Sequence, residues 1–192
     1  MEIAFGNKKL DKNIAIFNMN PAEDCPSKKR GLCSVCDICY ARKAELQYKS
    51  VLPYRRRQES YWDSCTAQEF FDDLMSVATY KVGKKKGQMK IKYLRLSEAG
   101  DFKSQKDLDK ADKIAGMLLK RGVRTYCYTA RSDLDISNVK YLTVNGSGFM
   151  AHNNFEVFKK GTNPKGVICK GDCGPCTLCV HKRGIKILVE QH

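Results

Sequence analysis

The sequence predicts an α/β protein built on a partial barrel or open, mostly parallel sheet with helices, carrying cysteine-rich metal-binding loops near both ends. Three observations lead there. Met89 to Leu96 alternates with period two, a helical pattern follows over about Gln105 to Lys120, and Val123 to Thr129 is a second β-rich run. Strand, helix and strand in that order make a βαβ unit, with parallel pairing and a right-handed crossover. The chain has 192 residues, too few for a full eight-stranded barrel with its helices. Eight of its ten cysteines fall in two short segments, 25–39 and 169–179, on either side of this unit.

Residues 1–22 alternate loosely through Ile14, Ile16 and Phe17, which suggests a strand running into a loop. Tyr40 to about Tyr61 is rich in Ala, Arg, Glu and Gln and reads as two short helices broken at Pro53. Thr66-Ala67-Gln68-Glu69 ahead of Phe70, Phe71, Leu74 and Val77 is a helix start with a capping box. Gly83 to Gly87 is a basic loop. Leu108, Ala111, Ile114, Ala115 and Leu118 share one face of the Gln105–Lys120 helix, which Gly122 stops. Tyr141 to Gly146 is a third strand. The length suits one α/β domain over 1–192.

With 42% hydrophobic and 29% charged residues the composition is that of a soluble globular chain. The N-terminus lacks the basic-then-apolar order of a secretory signal, and no apolar run is long enough to cross a bilayer. A cytoplasmic protein with no membrane partner is therefore expected. Lys and Arg total 35 against 21 Asp and Glu, a net charge of +14, gathered at 28–30, 55–57, 84–86 and 159–160. Such an excess favours a polyanionic partner, and nucleic acid is the expectation. The run Arg55-Arg56-Arg57 is a candidate phosphate contact.

In a reducing compartment ten cysteines point to metal or catalysis rather than disulfides. The first group is Cys25, Cys33, Cys36 and Cys39; the second is Cys169, Cys173, Cys176 and Cys179. Two-residue spacing lets thiolates converge, and Gly171, Gly174 and Pro175 suit a tight loop. Zinc sites usually pair two separated Cys-x2-Cys knuckles. Here three cysteines follow in succession within each group, the pattern that wraps a cubane, so one or two 4Fe-4S iron–sulfur clusters are expected, with zinc as the alternative. The two groups form either separate sites or one shared site. Cys65 and Cys127 stand apart, and mid-strand Cys127 reads as a small buried hydrophobe.

Ligands of open α/β sheets sit at the carboxyl ends of strands. The first such end carries Arg95, Ser97, Glu98 and Asp101, the second Tyr128, Thr129 and Arg131, and the third Asn145 and Ser147. Arg95, Glu98, Asp101, Tyr128 and Arg131 are the candidate catalytic residues: the carboxylates as acid/base groups or hard-metal ligands, Arg131 as a phosphate holder. The structural alternative pairs Arg95 with Glu98 and has Asp101 cap the next helix.

The chain resembles the phage and mobile-element proteins named after "gene product 88". The matching features are Cys25-Pro26, the cluster ending Cys39-Tyr40-Ala41, the run Arg95 to Phe102, Tyr128-Thr129-Ala130-Arg131, and Cys169 to Cys179. The resemblance implies a phage or prophage origin, in a host cell's cytoplasm, and cysteine-bound metal. It supplies no reaction. A weaker resemblance links Cys33, Cys36, Cys39 and Tyr40 to the cluster loop of radical S-adenosylmethionine enzymes, whose spacing is normally Cys-x3-Cys-x2-Cys, with Glu98 matching the glutamate of their Gly-Gly-Glu-Pro turn. It implies an enzyme acting on a nucleic acid or a small anionic substrate.

Overall fold

A computed structural model of the chain describes residues 1–162, 164–173 and 175–191. Its eight strands lie in one sheet: β1 (Ala4–Phe5), β2 (Ile14–Phe17), β3 (Tyr93–Leu96), β4 (Arg124–Thr129), β5 (Thr143–Ser147), β6 (Asn153–Phe158), β7 (Val167–Ile168) and β8 (Lys186–Glu190). The spatial order is β1-β2-β3-β4-β5-β6-β8-β7. Only β1 pairs antiparallel, against β2; every other pairing is parallel. Of the two alternatives in the sequence, the open sheet is the one formed.

Six α-helices accompany the sheet among the described residues: α1 (Pro26–Lys29), α2 (Tyr40–Gln47), α3 (Val51–Ser64), α4 (Ala67–Ala78), α5 (Gln105–Leu119) and α6 (Leu178–His181). Strands β2 to β6 are neighbours in chain order. Right-handed crossovers between successive parallel neighbours all return on the same side. That side carries the main core: Ala15, Phe17, Leu94, Leu96, Cys127 and Val144 of the strands pack on Trp62, Phe70, Leu74, Ile114 and Leu118 of α3, α4 and α5. Period-two alternation sends Ile14, Ile16, Tyr93, Tyr126 and Tyr128 to the opposite face, where they meet Val180, Cys173 and Cys179.

Several elements differ from the sequence reading, each for a local reason. The break between α2 and α3 falls at Tyr48 to Ser50, not at Pro53. Pro53 is the third residue of α3, in the first turn, where its missing N–H has no helical acceptor to lose. The strand expected from Met89 begins only at Tyr93; Met89 instead bridges Thr79 across the basic loop. Strands β6, β7 and β8 fall in a stretch where charged and polar residues blur the alternation. The Thr66–Glu69 capping box is present, and Gly122 ends α5 with φ +74°.

One connection depends on a missing side chain. Residues 148–152 alone join the parallel neighbours β5 and β6, so the chain doubles back tightly. The Phe149 carbonyl lies where a Cβ on Gly146 would stand, so only glycine fits there.

Candidate cysteine centres and the residues between them

The first cysteine group leaves the carboxyl end of β2. Pro26 occupies the first turn of α1, a position suited to its fixed φ, and a 3₁₀ turn follows at Cys36–Ile38. The segment is pinned from beneath by Asp101, whose side chain is almost fully buried. Its carboxylate accepts from Ser27 Oγ, from Thr129 Oγ1 at 2.6 Å, and from the backbone N–H groups of Ala130 and Phe102 at 2.8 Å each. Asn20 accepts from the Asp101 N–H at 3.0 Å and donates to its carbonyl. Burial pushes the Asp101 carboxyl up, while the four donated hydrogen bonds pull the other way. Asp101 thus ties the ends of β2, β3 and β4 to the cysteine segment. It does not cap the next helix: Ser104 and Asp107 form that capping box.

Above this, Ala22, Ala41 and Ala99 pack together with Cys39 against them, closing the segment onto the end of β3. A Cβ on Gly148 would touch Ser34 Oγ at 3.4 Å, so the same segment reaches the end of β5. Burial raises the Cys36 thiol to about 12, helped by Cys33, Cys25 and Cys39. Burial likewise takes Cys25 to about 11, with Asp101 and Cys33 adding to it. These four thiols therefore feel one another.

The second group lies between β7 and β8, yet it folds back over the sheet face away from the main helices. Cys169 N–H donates to the Leu188 carbonyl at 2.7 Å and Cys173 N–H to the Lys9 carbonyl at 3.2 Å. Helix α6 is held by Thr143 Oγ1 donating to the Val180 carbonyl at 3.0 Å, by Asn153 Nδ2 donating to the Lys182 carbonyl at 2.9 Å, and by Tyr93 Oη lying 3.2 Å from His181 Nε2. Burial raises Cys173 to about 11, with Cys179, Cys169 and Cys176 reinforcing it. All ten cysteines are free thiols; Cys127 is buried and Cys176 is the most exposed.

Between the groups stands Arg95. Its Nη2 donates to Tyr40 Oη at 3.2 Å, and Tyr40 Oη donates to the Glu98 carbonyl at 2.7 Å. The guanidinium lies over the Tyr128 ring, 5.0 Å from its centroid, and Tyr128 Oη donates to Cys179 Sγ at 3.1 Å. Burial opposes the Arg95 charge, but the surrounding Tyr40, Tyr128, Tyr126 and Glu98 outweigh it and hold its pKa up. The Arg95–Glu98 ion pair offered by the sequence does not form; Glu98 Oε1 accepts from Asn7 Nδ2 at 2.8 Å instead. Next along the strand, Ser97 has φ +59° and a buried hydroxyl without a protein partner.

Arg131 and Asn145 are engaged by partners within the fold. Arg131 is buried: it donates to the carbonyls of Phe102 at 2.5 Å and Lys103 at 3.1 Å, and pairs with Asp133 at 2.6 and 2.9 Å. Asn145 donates to the Cys127 carbonyl and accepts from Asn153, 3.0 Å each. Sequence reasoning missed Tyr40 and Ser27 as positioning groups; their position inside or beside the first cysteine segment was the only signal.

The basic run at 55–57 is paired with carboxylates inside the fold. Arg55 is buried and pairs with Glu45 at 2.8 Å; Arg56 pairs with Glu23 at 3.0 Å, with Glu59 at 3.1 Å and with Asp24; Arg57 pairs with Glu2 at 2.7 Å. Arg55 is withdrawn from the surface, while Arg56 and Arg57 stay exposed beside their carboxylates. The loop residues Lys84, Lys85 and Lys86 are exposed, as are Lys159 and Lys160.

Fold and site together define a cysteine-rich α/β protein with an open, mostly parallel sheet, one thiol group at the carboxyl ends of its strands and the other over the face away from the main helices. The chain belongs to the family described as Gene product 88, whose model matches residues 1–157. That match takes in the first cysteine group and stops short of the second. Comparison with curated proteins and with solved structures returns no match. No helix among the described residues is long and apolar enough to cross a membrane.

Proposed function

We propose that this is a phage-type protein that binds iron–sulfur clusters through its two cysteine groups and associates with nucleic acid. The observation that carries the cluster reading is the mutual crowding of reduced thiols within each group, Cys25/Cys33/Cys36/Cys39 and Cys169/Cys173/Cys176/Cys179. Cys36 and Cys173, raised by burial and by their cysteine neighbours, resist ionisation by themselves, and a bound cationic centre would reverse that balance. The donor set suits the group: four soft sulfur ligands on a loop, with Cys179 also receiving the Tyr128 hydroxyl as a hydrogen bond to sulfur.

Among the described residues no three His, Cys, Asp or Glu side chains converge on one ion-sized point. A tetrahedral zinc ion needs its thiolates roughly 3.8 Å apart, given a Zn–S distance of about 2.3 Å. A cubane holds its ligands at separate iron corners, so it accepts a wider set. Iron–sulfur is preferred to zinc on the succession of three cysteines within each group. A cluster would supply one-electron chemistry or structural cross-linking; the chain's own part would be to hold it and, at the second group, to shield it with Tyr126 and Tyr128.

The net charge of +14 and the exposed lysines at 84–86 and 159–160 support the polyanionic partner. Anaerobic purification with iron, acid-labile sulfide and zinc analysis tests the cluster reading. Brown protein with iron matched by sulfide is expected; colourless protein holding stoichiometric zinc overturns it.

One placement supports a second reading, an enzyme with radical S-adenosylmethionine-like chemistry. The first cysteine loop crosses the carboxyl ends of parallel strands, with Glu98 beside it through Tyr40. Reductive cleavage of S-adenosylmethionine by the reconstituted protein is its test.

A further inference from the structure

The two ends of the parallel strands differ in how their charges are met. Around the carboxyl ends, Arg30, Arg42, Arg55, Arg56, Lys103 and Arg131 each pair with a carboxylate. The amino ends carry cations of another kind. Lys12 stands two residues before β2, Lys92 directly before β3, Arg124 opens β4, and Lys140 stands three residues before β5. All four are exposed, and none forms an ion pair among the described residues. Their strands are successive neighbours in the sheet, so at about 4.8 Å per strand the four form a row about 14 Å long. Backbone bonds fix its middle: Lys92 N–H donates to the Asn13 carbonyl at 2.8 Å, and Arg124 N–H to the Lys92 carbonyl at 3.0 Å.

The carboxylates beside this rim are engaged by backbone instead. Asp11 accepts from the Asn13 N–H at 2.8 Å, and Asp112 from the Tyr141 and Leu142 N–H groups at 2.7 and 2.8 Å. Lys120 and Arg121, at the end of α5, add charge that its helix dipole welcomes. No such local reason covers the row itself, because a sheet has only a small dipole. Like charges held side by side repel, and a polyanion laid along them relieves that repulsion while releasing its own counterions. We propose that the amino-terminal rim of β2 to β5 docks a nucleic-acid backbone through Lys12, Lys92, Arg124 and Lys140, at the end of the sheet opposite the first cysteine segment. The inference rests on the nucleic-acid reading above and assigns it a surface. Duplex DNA presents one charge per about 1.7 Å of its axis, so a row of this length faces several phosphates. Contacts to phosphates carry no base information, so binding is indifferent to sequence. It also leaves the carboxyl ends of the strands free for a small ligand.

The test is a titration of labelled duplex DNA with the full chain at several salt concentrations. Lys92→Gln combined with Arg124→Gln should weaken binding and lower the salt slope by about 2, at about 0.9 per phosphate contact. Lys43→Gln combined with Lys106→Gln removes the same charge from exposed lysines outside the rim, and should keep the wild-type slope. Equal slopes in the two double variants, whether both fall or neither does, overturn the docking surface. Tighter binding of the wild-type chain to phosphatidylserine vesicles than to DNA, lost in the rim variant, also overturns it in favour of a membrane. If the Lys92/Arg124 variant does not fold, Lys12→Gln combined with Lys140→Gln decides on the outer strands of the row. Wild-type protein that binds no DNA at the lowest salt removes the nucleic-acid reading itself, a result distinct from equal slopes.

Discussion

Ser27 donates its hydroxyl to the buried carboxylate of Asp101, and that one hydrogen bond joins the cysteine segment after β2 to the loop after β3. The two residues are 74 positions apart in the chain. The same carboxylate also receives Thr129 and the Ala130 N–H at the end of β4. Three strand ends and a ligand loop thus share one acceptor.

Replacing Asp101 by Asn keeps the volume but turns an acceptor oxygen into a donor. At least one buried donor then loses its partner, at a cost of about 3 kcal/mol. Urea unfolding of Asp101→Asn should show that loss, with weaker metal retention by Cys25 and its neighbours. Wild-type stability would mean that the hub carries no load.

Glu45 is fully enclosed and bonds the Ala22 and Glu23 N–H groups at 2.7 and 2.9 Å as well as Arg55. Arg55→Met leaves that carboxylate only the longer pairing with Arg42, at 3.4 Å, and should destabilise the protein by about 3 kcal/mol. Equilibrium denaturation checks it. A cost below about 1 kcal/mol would return Arg55 to the class of solvated surface charges.

Lys84, Lys85 and Lys86 sit on an exposed loop, whereas each arginine of the 55–57 run is paired with a carboxylate. Neutralising the three lysines to Gln should weaken binding to labelled oligonucleotides and reduce the salt slope by about 2–3, at about 0.9 per phosphate contact. Folding stability should not move. Absence of binding by wild-type protein even at low salt removes nucleic acid from the proposal.

Cys127 is buried on the helix-covered face of β4, remote in role from the two groups. Cys127→Ser should retain full metal content while losing about 1–3 kcal/mol for a hydroxyl placed in an apolar core. Cys36→Ser and Cys176→Ser should lose metal. Equal metal loss in all three would erase the division between ligand and core cysteines.

His152 Nδ1 accepts the Val144 N–H at 3.1 Å, so the fold requires the neutral ring. Burial, then Arg183, holds its pKa below the usual 6.5. A depressed folded-state pKa means that its contribution is complete above about pH 6.5 and fades as pH falls toward the folded value. Stability measured from pH 7.5 to 5 should fall through that window, and His152→Gln should flatten this part of the decline. An unchanged slope in the variant assigns it elsewhere.

The helices and the first parallel strands were legible because their signals are local. The Thr66–Glu69 capping box, the Leu108–Leu118 face and Gly122 need no distant partner to be read. Strands β6 to β8 were not legible: Asn153 to Phe158 and Lys186 to Glu190 mix charge with apolar residues, and their pairing to each other fixes them. The pairing of the arginine run was illegible for a related reason. A sequence counts charges, while Glu2, Glu23 and Glu45, which neutralise Arg57, Arg56 and Arg55, come from separate segments.

By itself the sequence determined the α/β class, the parallel βαβ unit and the two cysteine groups, since each is written in the spacing of neighbouring residues. Only the tertiary structure decided that the second group folds back over the sheet face. There Arg95, without an ion pair among the described residues, stands between Tyr40 beside Cys39 and Tyr128 bonded to Cys179. The physical reason is that charge compensation and burial are properties of three-dimensional neighbours, which β3, β4 and the distant cysteine loops supply only once the sheet has formed.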